Sequence, residues 1–295
     1  MSIYFKKLLQ AGSVKAVTGV LLLATGFTPS AALAWGKTGH RIVGALAQGY
    51  LDADAKAGIA RILDRESVAE ASTWPDFMRA SPEEFWQKEA GPYHIVTVPK
   101  GKTYAEVGAP PQGDAATALK TFSATVRDPK APLAAKQLAL RFIIHIVGDL
   151  HQPLHTNNGI DRGGNDVHLM FGGHETNLHA LWDSGLIDQE QLSFTEWADW
   201  LRARITPALQ AQWSTADPLV WIGESAEIRD RIYPDSPNVP YSYAFNNKAL
   251  LDQQLEKAGV RLAAYLNRLF GDPKRRTSFG SVPKKRLSTV KRRKA

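Results

Sequence analysis

Leu138-Ala139-Leu140-Arg141-Phe142-Ile143-Ile144-His145-Ile146-Val147-Gly148-Asp149-Leu150 is apolar on nearly every side. A helix that is hydrophobic all round is a buried one, so the chain is expected to wrap around this segment. Its only ionisable residues, Arg141, His145 and Asp149, fall four apart and so share one helix face. Burying a carboxylate and an imidazole is costly unless they are paired or bind a cation. For this pair alone, a plain Asp–His hydrogen bond inside a core accounts for the pattern equally well.

Helical periodicity extends on both sides. Gly39 to Leu51 carries Ile42, Val43, Leu46, Ala47 and Tyr50 at helical spacing, and Asp52 opens a second pattern through Leu63. Tyr93 to Val98 reads as a short β-prone run ended by Pro99, and Gly101 to Gly113 as a loop. Helical patterns follow at Asp114–Val126, Leu133–Leu150, Leu178–Leu186, Phe194–Leu209, Pro218–Tyr233 and Asn246–Phe270, with a loop or irregular β-hairpin between Gly159 and Gly173. The expected fold class is mainly α, one helical domain over residues 35–271. With 44% hydrophobic and 22% charged residues, the chain can bury a sizeable core.

The two ends read differently. Lys6, Lys7 and Lys15, the apolar run Ala16 to Phe27, and Ala32-Leu33-Ala34 together form a signal-peptide pattern over residues 1–34. Cleavage at Ala34/Trp35 would make the protein secreted or periplasmic. No later stretch approaches the ~20 apolar residues of a membrane span, so no stable membrane insertion is expected. Residues 272–295 read as a disordered basic tail, with ten Lys and Arg and no acid from Lys274 onward. Removing those ten and the three signal lysines from the net +7 leaves −6 on residues 35–273. An acidic body suits a site that collects divalent cations, whose charge then attracts phosphate. There are no cysteines, so any metal site must use His, Asp, Glu and backbone groups.

A second His/Asp pair, His179 and Asp183, repeats the spacing of four. His155 follows Pro153, where a turn would swing it back over the end of the first helix. Two such pairs plus His155 favour a metal centre over a chance arrangement, and nitrogen-and-oxygen donors suit zinc. Asp76 in Trp74-Pro75-Asp76, with Arg79 after it, and His94 are weaker signals: singly, a helix cap and a core histidine account for them. Trp35 is notable because a freed α-amine and its own carbonyl chelate metals, with His40 five residues on.

Taken together, Trp35-Gly36-Lys37-Thr38-Gly39-His40, Trp74-Pro75-Asp76 with Arg79, Tyr93-His94, His145 with Asp149, His151-Gln152-Pro153-Leu154-His155, Arg162-Gly163-Gly164-Asn165 and Asn177-Leu178-His179 with Trp182-Asp183 resemble the S1/P1 nuclease family. The motifs run in the family's order and cover residues 35 to about 270. The resemblance implies a helical fold of the S1/P1 nuclease–phospholipase C type that holds three zinc ions. It implies one zinc on Asp76, His94, His145 and Asp149, and a second on His155, His179 and Asp183. The third falls to the Trp35 amine and carbonyl, His40 and Asp149. His151, His168 and His174 match no ligand position. Asp76 and Arg79 are the implied catalytic residues, the first orienting or deprotonating water and the second stabilising the transition state. Asn165 is a candidate substrate contact.

The expected substrates are single-stranded DNA and RNA and free nucleotides, cut to 5′-phosphorylated products with accompanying 3′-nucleotidase activity, by a monomer. Two rivals stand beside this. A zinc-dependent phospholipase C is disfavoured by the short Trp35-to-His40 spacing and by Asp183, where those lipases carry Glu. A non-catalytic periplasmic zinc-binding protein would need no Arg79 beside the metal.

Overall fold

The computed structural model describes residues 35–271, so the signal-like segment and the basic tail lie outside the described residues. The protein is mainly helical. In chain order come α1 (Lys37–Gln48), α2 (Ala53–Leu63), α3 (Val68–Ala71) and α4 (Trp74–Met78), then helical turns Phe85–Glu89 and Gly91–His94. Next are β1 (Val96–Thr97), α5 (Tyr104–Val107), α6 (Ala115–Arg127), α7 (Leu133–Asp149), the 3-10 turn Pro153–His155 and β2 (Thr156–Asn157). β3 (His168–Phe171) and β4 (His174–Asn177) precede α8 (Leu178–Ala180), a wide helical turn Leu181–Gly185 and α9 (Leu186–Asp188). The chain continues through α10 (Phe194–Arg204), α11 (Pro207–Trp213), α12 (Pro218–Arg229), β5 (Asn238–Val239) and α13 (Tyr241–Phe270). Among the described residues, no helix is long and apolar enough to cross a membrane.

α7 is the buried centre that its sequence implies. From Ala139 to Asp149 every residue except Arg141 is buried, and α6, α13, α2 and α4 pack around it. α1 lies across α13, α10 and α3. Arg141 departs from the one-face reading. Its long stem carries the guanidinium away from His145 to Glu66, at 2.7 Å, where it lies 4.7 Å over the Trp74 ring.

Local chemistry explains where other elements begin and end. Phe194–Leu209 reads as one helix but divides, because Thr206 accepts from the Leu209 amide and Pro207 starts α11 in its first turn. The segment read as loop 101–113 contains α5, closed by a Thr103/Glu106 capping box. The Asn246–Phe270 helix starts earlier, at Tyr241, after Pro240. The Gly159–Gly173 segment holds both a loop, residues 159–167, and the first strand and turn of a hairpin, in which β3 and β4 pair antiparallel around Gly172 and Gly173 and β4 carries on to Asn177. In the β-prone run only Val96–Thr97 is strand, pairing parallel with β2, while Tyr93 and His94 sit in the preceding 3-10 turn. Phe85, Trp86 and Tyr93 gather around Phe142 of α7, with the Trp86 and Phe142 rings stacked at 5.5 Å. That aromatic packing, after Gly91-Pro92, fixes the turn and overrides the β-branched run.

On α13, Glu256 is buried, and burial followed by the Asp252 charge pushes its carboxyl from 4.5 up to about 7. The folded state therefore holds this proton more tightly than the unfolded chain. The advantage is complete below pH 4.5 and is lost as pH rises through 7. Glu256→Gln is expected to raise stability at pH 8 by about 1 kcal/mol, solvent screening included, and to change nothing at pH 4. Urea unfolding midpoints at the two pH values check this.

Candidate metal centre

The C-terminal end of α7 organises the centre. His145 and Asp149, one turn apart, are both fully buried, and Asp149 Oδ2 lies 3.1 Å from His145 Nε2. α1 crosses close enough to stack the His40 ring on His145, centroids 3.9 Å apart, with His40 Nε2 3.2 Å from Asp149 Oδ1. The 3-10 turn brings His94 Nδ1 to 3.2 Å from Asp149 Oδ2. Asp76, in the first turn of α4 behind Pro75, places Oδ1 3.8 Å from His145 Nε2 and 3.9 Å from His94 Nδ1.

Beyond α7 the chain reverses at Gln152 and Pro153, and His155 returns over the helix end with Nδ1 3.8 Å from Asp149 Oδ1. Its ring stacks on His179, centroids 5.0 Å apart, and His179 Nε2 lies 3.1 Å from Asp183 Oδ2. The Leu178–Leu186 segment is not one regular helix, since it widens over Leu181–Gly185, yet the spacing of four survives. Three trios of donor atoms thus cluster, each within 4.8 Å: His40, His145 and Asp149; Asp76, His94 and His145; His155, His179 and Asp183. His145 belongs to two of them.

These side chains lack the hydrogen bonds that burial demands. Both Asp76 oxygens, both His40 nitrogens, His94 Nε2, Asp149 Oδ1, His155 Nε2 and Asp183 Oδ2 are buried without a hydrogen-bond partner. Leaving that many polar atoms unpaired costs about 1–3 kcal/mol each, unless a shared cation satisfies them. Meanwhile the far side of three rings is pinned by backbone carbonyls. Nδ1 of His145, His155 and His179 lies 2.7, 2.8 and 2.7 Å from the carbonyls of Ser72, His94 and Gly163. Such bonds fix the tautomer, so that Nε2 turns a lone pair inward. The donor set of nitrogens and oxygens around buried carboxylates fits zinc.

The electrostatics agree. Burial alone would raise the Asp149 carboxyl, but the imidazoles of His145 and His155 outweigh it and hold it well below the usual range. Burial depresses His155, yet Asp149 and Asp183 lift it to about 9. For His40 and His94 burial wins, and both are lowered.

Two glycines let the parts approach. Gly163, at φ +65°, sits where a Cβ would lie 2.5 Å from the Leu154 carbonyl, so only glycine brings its own carbonyl to His179. Gly148 is the floor under His40: a Cβ there would lie 2.9 Å from His40 Nδ1. Gly148→Ala is therefore expected to tilt His40, cost about 1–3 kcal/mol of stability and lower metal content. Thermal unfolding and elemental analysis of the purified variant check it.

The remaining residues fall into place around this core. Trp35 is fully buried next to His40, and the Gly36 amide donates to the Asp183 carbonyl at 2.7 Å, tying the start of α1 to the turn that bears Asp183. Arg79 reaches from the end of α4, its Nη1 3.8 Å from Asp76 Oδ1 and its side chain partly exposed. Asn165 is half-buried in the Gly163-Gly164 loop, where its amide donates to the Arg162 carbonyl at 2.8 Å. His151 is buried behind α7, with Nδ1 2.7 Å from the Val147 carbonyl. Burial, then Arg261, pushes it down to about 3. His168 and His174 lie exposed on the hairpin. Sequence reasoning missed Gln152, whose amide donates to Asp183 Oδ1 while its carbonyl oxygen takes the Leu154 amide. Its place between the two ligand-bearing segments was the available signal.

The family model S1/P1 Nuclease matches residues 35–271, the whole described chain. The chain belongs to the S1/P1 nuclease family. It is similar to Nuclease S1 of Aspergillus oryzae, 26% identical over 81% of this chain and 93% of that protein. Endonuclease 2 of Arabidopsis thaliana is 26% identical over 80% of this chain and 91% of its own length. Nuclease P1 of Penicillium citrinum is 30% identical over a shorter stretch, 51% of this chain and 57% of that protein. As an S1/P1 nuclease the protein is a hydrolase of phosphodiester bonds, and its buried His/Asp clusters are positioned to bind metal.

Proposed function

We propose that this S1/P1 nuclease is an exported, monomeric, three-zinc endonuclease. It cuts single-stranded DNA and RNA to 5′-phosphorylated products and also removes 3′-phosphates from nucleotides. The observation that carries the reading is a set of three donor trios among the described residues, two sharing His145 and the third brought by His155 to 3.8 Å from Asp149, with many buried atoms lacking hydrogen bonds and the Arg79 cation at the edge. In this reading Asp76, His94, His145 and Asp149 hold one zinc and His155, His179 and Asp183 another. The Trp35 amine and carbonyl, His40 and Asp149 hold the third. Bound zinc supplies Lewis acidity toward phosphoryl oxygens and makes water a stronger acid.

The chain's own groups do the rest. Asp76 has two buried oxygens without hydrogen-bond partners, so one of them is available to orient the attacking water and take its proton. Arg79, next to Asp76, offers a guanidinium to the charge that grows on the phosphoryl oxygens. Asn165 contacts the substrate backbone from its loop. Export by the residue 1–34 signal would end in cleavage at Ala34/Trp35.

The test is incubation of protein beginning at Trp35 with single-stranded DNA, duplex DNA and phosphatidylcholine. Products ending in 5′-phosphate, formed faster from the single strand, support the reading. Release of phosphocholine with nucleic acid left intact would move the activity to a phospholipase, and metal binding with no turnover would leave a zinc store.

A further inference from the structure

A cavity of about 720 Å³ lies among α10, α11 and α13, helices that supply no residue to the metal centre. That is the size of a small-molecule site. Its aromatic walls are Trp197 and Trp200 of α10, Trp213 at the end of α11 and Phe245 of α13. Trp200 and Phe245 are exposed, whereas Trp197 and Trp213 are buried. The face of an aromatic ring is negative and attracts cations. One such contact is already built in, since Lys248 Nζ stands 4.3 Å from the centroid of the Trp197 ring.

The charges along the cavity are unequally engaged. Asp252 is committed: its oxygens accept from Lys248 at 2.6 and 2.8 Å and from Arg204 at 2.8 Å. Glu256 is not. It lines the cavity, is only 7% exposed, and its carboxylate makes no hydrogen bond or ion pair among the described residues. Glu190, exposed on the loop before α10, also lines the cavity with an uncommitted carboxylate. A carboxylate buried without a partner is costly, and the group that relieves the cost is a cation. The titratable and charged groups around Glu256 are Asp252 and Lys248 on α13, Arg204 on α10 and the Tyr50 phenol just after α1, while α11 contains none. With both local cations drawn to Asp252, none of these neutralises Glu256.

We propose that this cavity binds a small organic cation, an ammonium or guanidinium group on an apolar body, whose charge meets the Glu256 carboxylate while its body packs against the aromatic walls. The site is separate from the metal centre and does not depend on the nuclease reading. Because the ligand engages the ionised carboxylate, which burial has pushed up to about 7, binding tightens as pH rises through 7 and levels off above it.

The test is calorimetric titration of the zinc-loaded chain from Trp35 to Ala295 with benzyltrimethylammonium, and with benzyl alcohol as its neutral counterpart. The cation is expected to bind about tenfold more tightly at pH 8 than at pH 6, and at pH 8 about tenfold more tightly than the alcohol. Glu256→Gln should weaken cation binding at pH 8 about tenfold and abolish its pH dependence. Phe245→Ala should weaken it about fivefold at both pH values. Both variants should keep the zinc content and phosphodiester turnover of the unaltered protein. No binding of the cation, or equal binding of the alcohol, would overturn the proposal. So would pH-dependent binding that persists in Glu256→Gln, because the cation would then sit elsewhere.

Discussion

Asp149→Asn is expected to lose at least about a thousandfold in phosphodiester turnover and to retain fewer zinc ions per chain. Asp149 is the group that both halves of the centre share. Its Oδ1 faces His40 and His155, at 3.2 and 3.8 Å, and its Oδ2 faces His145 and His94, at 3.1 and 3.2 Å. Asparagine keeps the shape but removes the negative charge and replaces one carboxylate oxygen with an NH₂ that has no lone pair to offer a cation. Metal assistance supplies several kcal/mol to such a reaction, and about 4 kcal/mol corresponds to a thousandfold. Elemental analysis and turnover on single-stranded DNA check it together, on protein whose circular dichroism shows the native helix content. Full zinc content with full turnover in this variant would remove Asp149 from the centre.

The second large effect is expected at the chain start. An α-amine titrates near pH 7.7–8.0 and offers a lone pair near neutrality, whereas an amide nitrogen has its lone pair delocalised into the peptide bond. Trp35 is completely buried, and the adjoining Gly36 amide is fastened to the Asp183 carbonyl, so Trp35 and Gly36 have little freedom to rearrange. Protein that retains Ala34 is expected to hold two zinc ions where protein starting at Trp35 holds three, with turnover down about a hundredfold. Both forms are made by cleaving a removable leader at different points, and mass spectrometry of the intact chain confirms the first residue. Equal zinc and equal turnover would show that the Trp35 amine is not a ligand.

Much of the centre was legible because helical spacing is a strong constraint. His145/Asp149 and His179/Asp183 each lie one turn apart, and the structure keeps both pairs together even where the second helix widens. His155 was placed by Pro153, which cannot continue the preceding helix. The same argument misread Arg141, since spacing fixes the direction of Cβ but not where a long, flexible stem delivers its charge. His94 was read in a strand from its β-branched neighbours, and aromatic packing on Phe142 decided otherwise. The carbonyls of Ser72 and His94 that orient the His145 and His155 rings were beyond reach, because a backbone acceptor at an ordinary position leaves no mark on residue identity, whereas that of Gly163 is marked by the glycine its backbone requires.

The most direct measurement of the central claim is a zinc titration of chelator-stripped protein that begins at Trp35, following release of 5′-phosphorylated nucleotides from single-stranded DNA. The expected result is no release from the stripped chain and full recovery as the third equivalent binds. Undiminished release from stripped protein, or none from a chain carrying three zinc ions, would contradict it.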